Sequence, residues 1–295
     1  MQRRPYRSLL YVPADKPDWM AKAPKYGADA YILDLEDAVA EDGKAAARGS
    51  AREAIPAFAE LSVGVFVRIN ALSTPHWLDD VRAVCVPGLT GVVLPKAKAP
   101  AEVAALSLVL DAVEREAGVE AGTVDVQLLF ETAAGIADAG QLLRASPRVR
   151  SYYGGVARDG DTNRELGLRW TPGGKESLFL RSKLLLDGRA ASVPYPVTGL
   201  STDIADLDGL RAYAREGRDL GYTGMHVIHP SHVPIANELF TPSEEEVERL
   251  RKLLAEFEDA ERTGRAAIRF DGTMVDVAMA ASARETLAAL EADGV

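Results

Sequence analysis

Cysteine is nearly absent. Cys85 stands alone in 295 residues, so an internal disulfide is excluded, and its apolar setting, VRAVCVPG, marks a buried inert thiol rather than a nucleophile. Histidine is scarce too, and no Cys/His cluster has the spacing of zinc ligands. His226, His229 and His232 come nearest, but alternation along a strand would turn His226 and His229 to opposite faces, which predicts lining or structural roles. No apolar run approaches the roughly 20 residues that span a bilayer, so an integral membrane protein is not expected. Basic tracts are missing and the net charge is −10, which argues against a nucleic-acid partner and requires an anionic ligand to be held by a few local cations. No G-x-G-x-x-G follows a candidate strand, which removes the main support for an open dinucleotide-binding sheet. The opening MQRRPYRSLLYVPAD has only a short apolar stretch that ends at Pro13, too brief for a secretory signal, and with the lone thiol this predicts a reducing cytoplasmic setting.

What is present reads as α/β. Apolar runs rich in β-branched residues recur between helix-like segments: SLLYV (8–12), AYILDL (30–35), VFVRI (65–69), GVVLP (91–95), VQLLF (126–130), RSYYG (150–154), a weak SVPYP (192–196) and MHVIH (225–229). Most are continuously apolar, as strands covered on both faces are, and eight such units predict a (β/α)8 TIM barrel. Helix starts are visible at Thr74-Pro75, a capping residue before a first-turn proline, and at Ser243 with Glu246, a capping box. Leu207, Leu210, Tyr213, Ala214 and Leu220 share an apolar face. After the acidic helix SEEEVERLRKLLAEFEDAER, a DG turn leads into a small-residue helix, so the barrel is expected over 1–240 and a C-terminal helical or lid extension over 241–295.

In such barrels the active site assembles at the carboxyl ends of the strands. Polar residues crowd there: Asp34, Glu36 and Asp37 after the second strand, Arg68 and Asn70 at the third, Lys96 after the fourth, Glu131 after the fifth, Asp159 and Asp161 after the sixth. Carboxylates gathered at one mouth raise one another's pKa unless a cation neutralises them, which makes a divalent metal the economical explanation. Oxygen donors without histidine or cysteine point to Mg²⁺, with Mn²⁺ as the alternative. Lys96 invites a Schiff-base reading, but an acidic rim would raise its pKa rather than lower it, and the metal route ranks above it.

Taken together and in order, RSLLYVPADKP, ILDLEDAV, VRINA, GVVLPKA, LLFETAAGI and GYTGMHVIHPSHV resemble the HpcH/HpaI aldolase and citrate lyase β-subunit family. The resemblance runs from about residue 7 to residue 280. It implies a barrel with Mg²⁺ at the strand ends and cleavage or formation of carbon–carbon bonds in malyl-, citramalyl-, methylmalyl- or citryl-type coenzyme A thioesters, with a 2-oxo acid and an acyl-coenzyme A as products.

Residue by residue, the resemblance makes Glu131 of ETAAGI a metal ligand that also touches substrate, and Arg68 of VRINA the holder of the substrate carboxylate. Asp161, placed by the downstream Leu166 and Gly167, is the second metal ligand. The stretch YYGGVARDGDTNRELG departs from the family's G-A-E-D pattern, so Asp159 stays in contention. Glu36 and Asp37 are expected to orient metal-bound water or Arg68, and Arg7 and Lys16 to meet thioester or coenzyme phosphate groups. In coenzyme A members of the family a C-terminal segment reaches a neighbouring subunit and supplies an aspartate. Asp276 of DGTMVDVAMAASA matches it, which implies a homo-oligomer, a trimer or hexamer, with Asp276 as acid or base at the thioester carbon. Two rivals remain open: hydrolysis of the same thioester, and a binding subunit of a larger lyase complex without turnover of its own.

Overall fold

A computed structural model describes residues 5–171 and 173–292. The basic residues 1–4 and the final residues 293–295 of the expected extension lie outside them. The chain divides into two compact units, one of them Pro5–Phe240 and the other including the segment from Thr241 onward.

The first unit is a closed barrel of parallel strands β1 (Ser8–Pro13), β2 (Ala30–Asp34), β3 (Gly64–Arg68), β4 (Gly91–Leu94), β5 (Asp125–Leu129), β6 (Val149–Tyr153), β7 (Tyr195–Thr198) and β8 (Gly224–Val227). Each strand pairs with the next, and β8 returns to β1 with Leu9 opposite His226. Alternation divides every strand between two cores. Leu9, Ile32, Phe66, Val93, Leu129 and Val197 fill the barrel interior. Their neighbours Leu10, Leu33, Val67, Val92, Leu128 and Val227 pack outward under the helices. Burial on both faces is why these runs read as continuously apolar.

Local expectations were met unevenly. The seventh strand lies at Tyr195–Thr198 rather than 192–196, because Ser192 adopts a left-handed φ of 58° in the turn that closes the helix Lys175–Ala190. Thr74 does not cap a helix. Its hydroxyl donates to Ala71 O at 2.8 Å, and the helix Trp77–Val84 begins after His76 with no side-chain cap. The helix Leu207–Leu220 buries Leu210 and Ala214 as expected, while Leu207 at its start is exposed. Cys85 is buried, and burial pushes its thiol up to about 11.

The second unit contains the helix Glu244–Arg262, a hairpin of β9 (Ala267–Phe270) and β10 (Thr273–Asp276), and the helix Val277–Ala292. The Ser243–Glu246 capping box forms at the first of these helices. Asp271 and Gly272 turn the hairpin with φ of 46° and 78°, a tight turn in which both central residues are left-handed. Leu253, Phe257, Phe270, Val275, Ala280 and Ala283 make its core. Among the described residues no helix is long and apolar enough to cross a membrane.

Candidate active site

The inward set of residues turns polar at the carboxyl end of the barrel. One alternation beyond Ile32 stands Asp34, beyond Phe66 stands Arg68, and beyond Leu129 stands Glu131. These three, with Tyr11, Asp161 and His226, line a cavity of about 590 Å³.

Arg68 is clamped before any ligand arrives. Its Nε and Nη2 donate to Asp34 Oδ1 and Oδ2 at 2.8 and 2.6 Å, and its guanidinium carbon lies 5.0 Å from the centre of the Tyr11 ring. Nη1 is the edge left over, 3.0 Å from Glu36 Oε2 without hydrogen-bond alignment. Asp34 also accepts from the Glu36 and Ala38 N–H groups, so one carboxylate fixes both the arginine and the loop that carries Glu36 and Asp37. That loop is tied from behind, where Lys44 Nζ donates to Leu35 O and Glu36 O and Asn70 Nδ2 donates to Leu35 O. Buried Asp80 in turn holds the Asn70 side chain at 2.7 Å.

Glu131 is set by its own motif. Thr132 accepts from Gly135 N–H to cap the helix Ala133–Ala137 and donates to Ala97 O. Gly135 sits where an added Cβ would lie 2.4 Å from Ala97 O, so only glycine lets this helix close on the loop after β4. Glu131 Oε2 is buried with no hydrogen-bond partner among the described residues. Burial raises the Glu131 carboxyl to about 7, opposed by Arg68 and reinforced by Glu36. Glu36 is raised by burial as well, with Arg68 pulling the other way.

Sequence reasoning placed Lys96 on the rim but left it outside the site. It has a left-handed φ of 55°, and its Nζ lies 2.9 Å from Glu36 Oε1, 3.2 Å from Asp37 Oδ2 and 3.2 Å from Asp161 Oδ2. Burial alone would lower its pKa, but those carboxylates reverse the effect and raise it. An amine held protonated in this way is a poor Schiff-base nucleophile. Asp161 opens the helix Asp161–Leu166 and lines the cavity. Asp159 points away, with a side chain 90% exposed beside Arg158.

Two of the expected contacts lie elsewhere. Arg7 precedes β1, at the opposite end of the barrel, and its guanidinium forks onto Asp29 at 2.7 and 2.8 Å. The amino end of a barrel strand faces away from the mouth, so Arg7 lies apart from the cavity rather than meeting a ligand there. Lys16 follows β1 and pairs with Asp15 at 3.1 Å without lining the cavity, whose wall at that end is Trp19, Lys22 and Tyr26. Asp276 ends β10 in the second unit, exposed, and its Oδ1 accepts the Met279 N–H.

His226 lines the cavity, as the sequence led one to expect, but its partner Gln127 inside the fifth strand carried no signal. His226 is buried, its Nε2 2.8 Å from Gln127 Oε1 and its Nδ1 3.3 Å from the Tyr11 hydroxyl. Tyr153 stacks on the same ring. Burial, with Arg68 adding, pushes His226 down to about 3, so the imidazole is neutral. His229 does not continue the alternation, because β8 ends at Val227 and the chain turns it back onto the cavity wall.

The donor set fits a hard divalent cation. Among the described residues a buried carboxylate oxygen on Glu131 lacks a partner, Asp161 faces the same cavity, and the lining carboxylates Asp34, Glu131 and Asp161 outnumber the lining cations Lys22 and Arg68. Among the described residues no group of three or more His, Cys, Asp or Glu is placed to hold a metal ion by itself. Mg²⁺ needs none, since it takes one or two carboxylates and completes its shell with water and substrate oxygens.

The family model for HpcH/HpaI aldolase/citrate lyase matches residues 7–230. The chain belongs to that family. It is thereby an enzyme of the carbon–carbon lyase type. Among relatives of this HpcH/HpaI chain, a citrate lyase subunit beta-like protein of Deinococcus radiodurans is 38% identical over 95% of the chain and 96% of its own length. A (3S)-malyl-CoA thioesterase of Cereibacter sphaeroides is 36% identical over 99% and 96%. An L-malyl-CoA/beta-methylmalyl-CoA lyase of the same species is 34% identical over 93% and 91%. The protein CitE of Mycobacterium tuberculosis, solved with magnesium, acetoacetate and coenzyme A, superposes with a TM-score of 0.76 at 32% identity, covering 98% of both chains.

Proposed function

We propose that this protein cleaves the carbon–carbon bond of a malyl-type coenzyme A thioester, citramalyl, methylmalyl and citryl esters being of the same class, to a 2-oxo acid and an acyl-coenzyme A. The observation that carries this reading is the buried Glu131 carboxylate, unpartnered among the described residues, beside Arg68 and Asp161 in one cavity, with Lys96 paired to Asp161 at 3.2 Å. Glu131 and Asp161 would hold Mg²⁺, which when bound supplies a Lewis acid for the oxygens of the keto-acid half. Arg68 offers Nη1 to the ligand carboxylate, its other nitrogens being fixed on Asp34, so binding requires little reorganisation. Glu36 and Asp37 hold Lys96, and Lys96 with Arg68 provides the positive field in which a thioester enolate is stabilised. Trp19, Lys22 and Tyr26 offer an aromatic and cationic wall along which the coenzyme would leave the cavity.

Retro-aldol cleavage takes the hydroxyl proton, breaks the bond between the hydroxyl-bearing carbon and the carbon next to the thioester, and places a proton on that second carbon. Asp276 is the proposed acid, delivered by a neighbouring subunit. The exposed apolar residues around it, Met274, Val277 and Met279, suit a segment that docks on another surface.

Hydrolysis by the same cavity is the second reading, favoured by the malyl-CoA thioesterase among the relatives. Product analysis separates them. With Mg²⁺ and a panel of malyl-type thioesters, cleavage yields a 2-oxo acid trapped by phenylhydrazine and no new thiol, whereas hydrolysis releases coenzyme thiol titratable with a disulfide reagent. Thiol release without 2-oxo acid would overturn the lyase reading, and neither product, with ligand bound, would leave a binding subunit.

A further inference from the structure

A line of hydrogen bonds crosses the barrel beneath the cavity, and its direction can be read from one end. The Tyr195 carbonyl on β7 can only accept, so the Ser151 hydroxyl, 2.8 Å away, donates to it. Ser151 Oγ then has lone pairs left for Gln127, 2.7 Å away, and only the amide NH₂ can donate there. This turns Gln127 Oε1 towards His226 Nε2 at 2.8 Å, which must carry the ring's hydrogen. Nδ1 is left as an acceptor, and the group facing it at 3.3 Å is the Tyr11 hydroxyl. Gln127 and His226 are buried, so the order is shielded from water.

We propose that Gln127 is a positioning residue of this site: through His226 it turns the Tyr11 proton inward, so that Tyr11 meets a ligand with oxygen lone pairs. The floor of the cavity therefore accepts hydrogen bonds. Resting on the lyase reading above, the partner it selects is the hydroxyl of the carbon that becomes the 2-oxo group. The same Tyr11 ring lies against Arg68, so hydroxyl and carboxylate of one ligand would be read by neighbouring groups. Around the imidazole stand Tyr11 from β1, Arg68 from β3, Gln127 from β5 and Tyr153 from β6. Among the described residues no carboxylate is in hydrogen-bond contact with it, in keeping with a neutral ring.

Nitrogen-15 spectra of imidazole-labelled protein test the relay without any substrate, each ring being assigned by His76→Gln, His229→Gln and His232→Gln variants. The wild type is expected to show His226 protonated on Nε2 and bare on Nδ1, unchanged from pH 8 to 5. The opposite tautomer, or a charged ring in that range, overturns the proposal. In Gln127→Glu the carboxylate favours an imidazolium, whose Nδ1–H would donate to Tyr11 and turn the hydroxyl into the cavity. The KM for the thioester, relative to wild type, then rises about tenfold as the ring protonates, the worth of one misdirected hydrogen bond. A charged His226 in that variant with an unchanged KM ratio also overturns the positioning role. Should Gln127→Glu not fold, Gln127→Met removes the acceptor, and a mixture of both His226 tautomers is expected where a single tautomer would count against the relay. If no thioester is turned over by the wild type, the reaction reading falls while the tautomer measurement still decides the relay.

Discussion

Glu131 is the residue on which two scales of energy meet. Its carboxylate is buried with an unpartnered oxygen, an arrangement that costs stability and is retained where a ligand completes it. Glu131→Gln keeps the shape and removes the charge, so kcat/KM should fall by at least about 100-fold while the melting temperature holds or rises. Steady-state turnover beside thermal melts checks both, and near-normal turnover would remove Glu131 from the mechanism. His226 gives a prediction of pH. Its folded pKa is depressed to about 3 from an ordinary 6.5, so below pH 6.5 the unfolded chain binds a proton that the folded chain refuses. Stability from this group is full above 6.5 and is lost as pH falls towards 3, by up to about 1.4 kcal/mol per pH unit. The melting temperatures of wild type and His226→Gln should therefore converge in the wild type's disfavour between pH 6.5 and 4; parallel curves would show that His226 titrates freely. Arg68 and Glu131 were legible in the sequence because each ends an apolar run at the mouth of the barrel. His226 was legible as a lining or structural residue, but its pairing with Gln127 was not, because Gln127 lies inside the apolar run VQLLF and the two are 99 residues apart in sequence.

At the level of elements, the loops of the site are locked by glycines that the motifs contain but do not explain. Gly135 presses the helix after Glu131 onto Ala97 O, and Gly155 in YYGG meets Gly199 so closely that an added Cβ would lie 1.9 Å from its Cα. The loops after β6 and β7 thus touch backbone to backbone, and Tyr213 holds the first of them by bonding both N–H and C=O of Val156. Gly135→Ala should cost about 1–3 kcal/mol, as overpacking of a tight contact does, and reduce turnover more than the melting shift alone implies, because it moves Glu131 against Lys96. Chemical denaturation and kinetics on one preparation read the two effects; a variant of unchanged stability and activity would mean that the helix simply slides. The eight strands were visible as apolar runs, whereas the position of β7 was not, because Ser192 spends in a left-handed turn the residues that looked extended. Lys96 was legible on the rim but its partners were not: its left-handed backbone is invisible in GVVLPKA, and the amine meets Glu36 and Asp161.

For the whole molecule, the question is whether one chain contains a complete site. Glu131, Arg68 and Asp161 belong to the barrel, and Asp276 to the second unit, where it caps the helix Val277–Ala292 from an exposed position. If Asp276 acts in a neighbour's cavity, Glu131→Gln and Asp276→Asn subunits are each inactive alone but complementary in one assembly, since a site pairing an intact barrel with an intact Asp276 exists only in the mixture. Co-refolding the two inactive variants, or exchanging their subunits, should restore a fraction of wild-type turnover set by the mixing ratio and greatest near equal amounts. Restoration has no source within a single chain, because no subunit in the mixture carries both intact groups. A mixture that stays inactive despite exchange, shown by mass spectrometry of mixed-isotope assemblies, would confine Asp276 to its helix cap or to its own chain's barrel, and the proton for the thioester carbon would then have to come from a residue of the cavity wall.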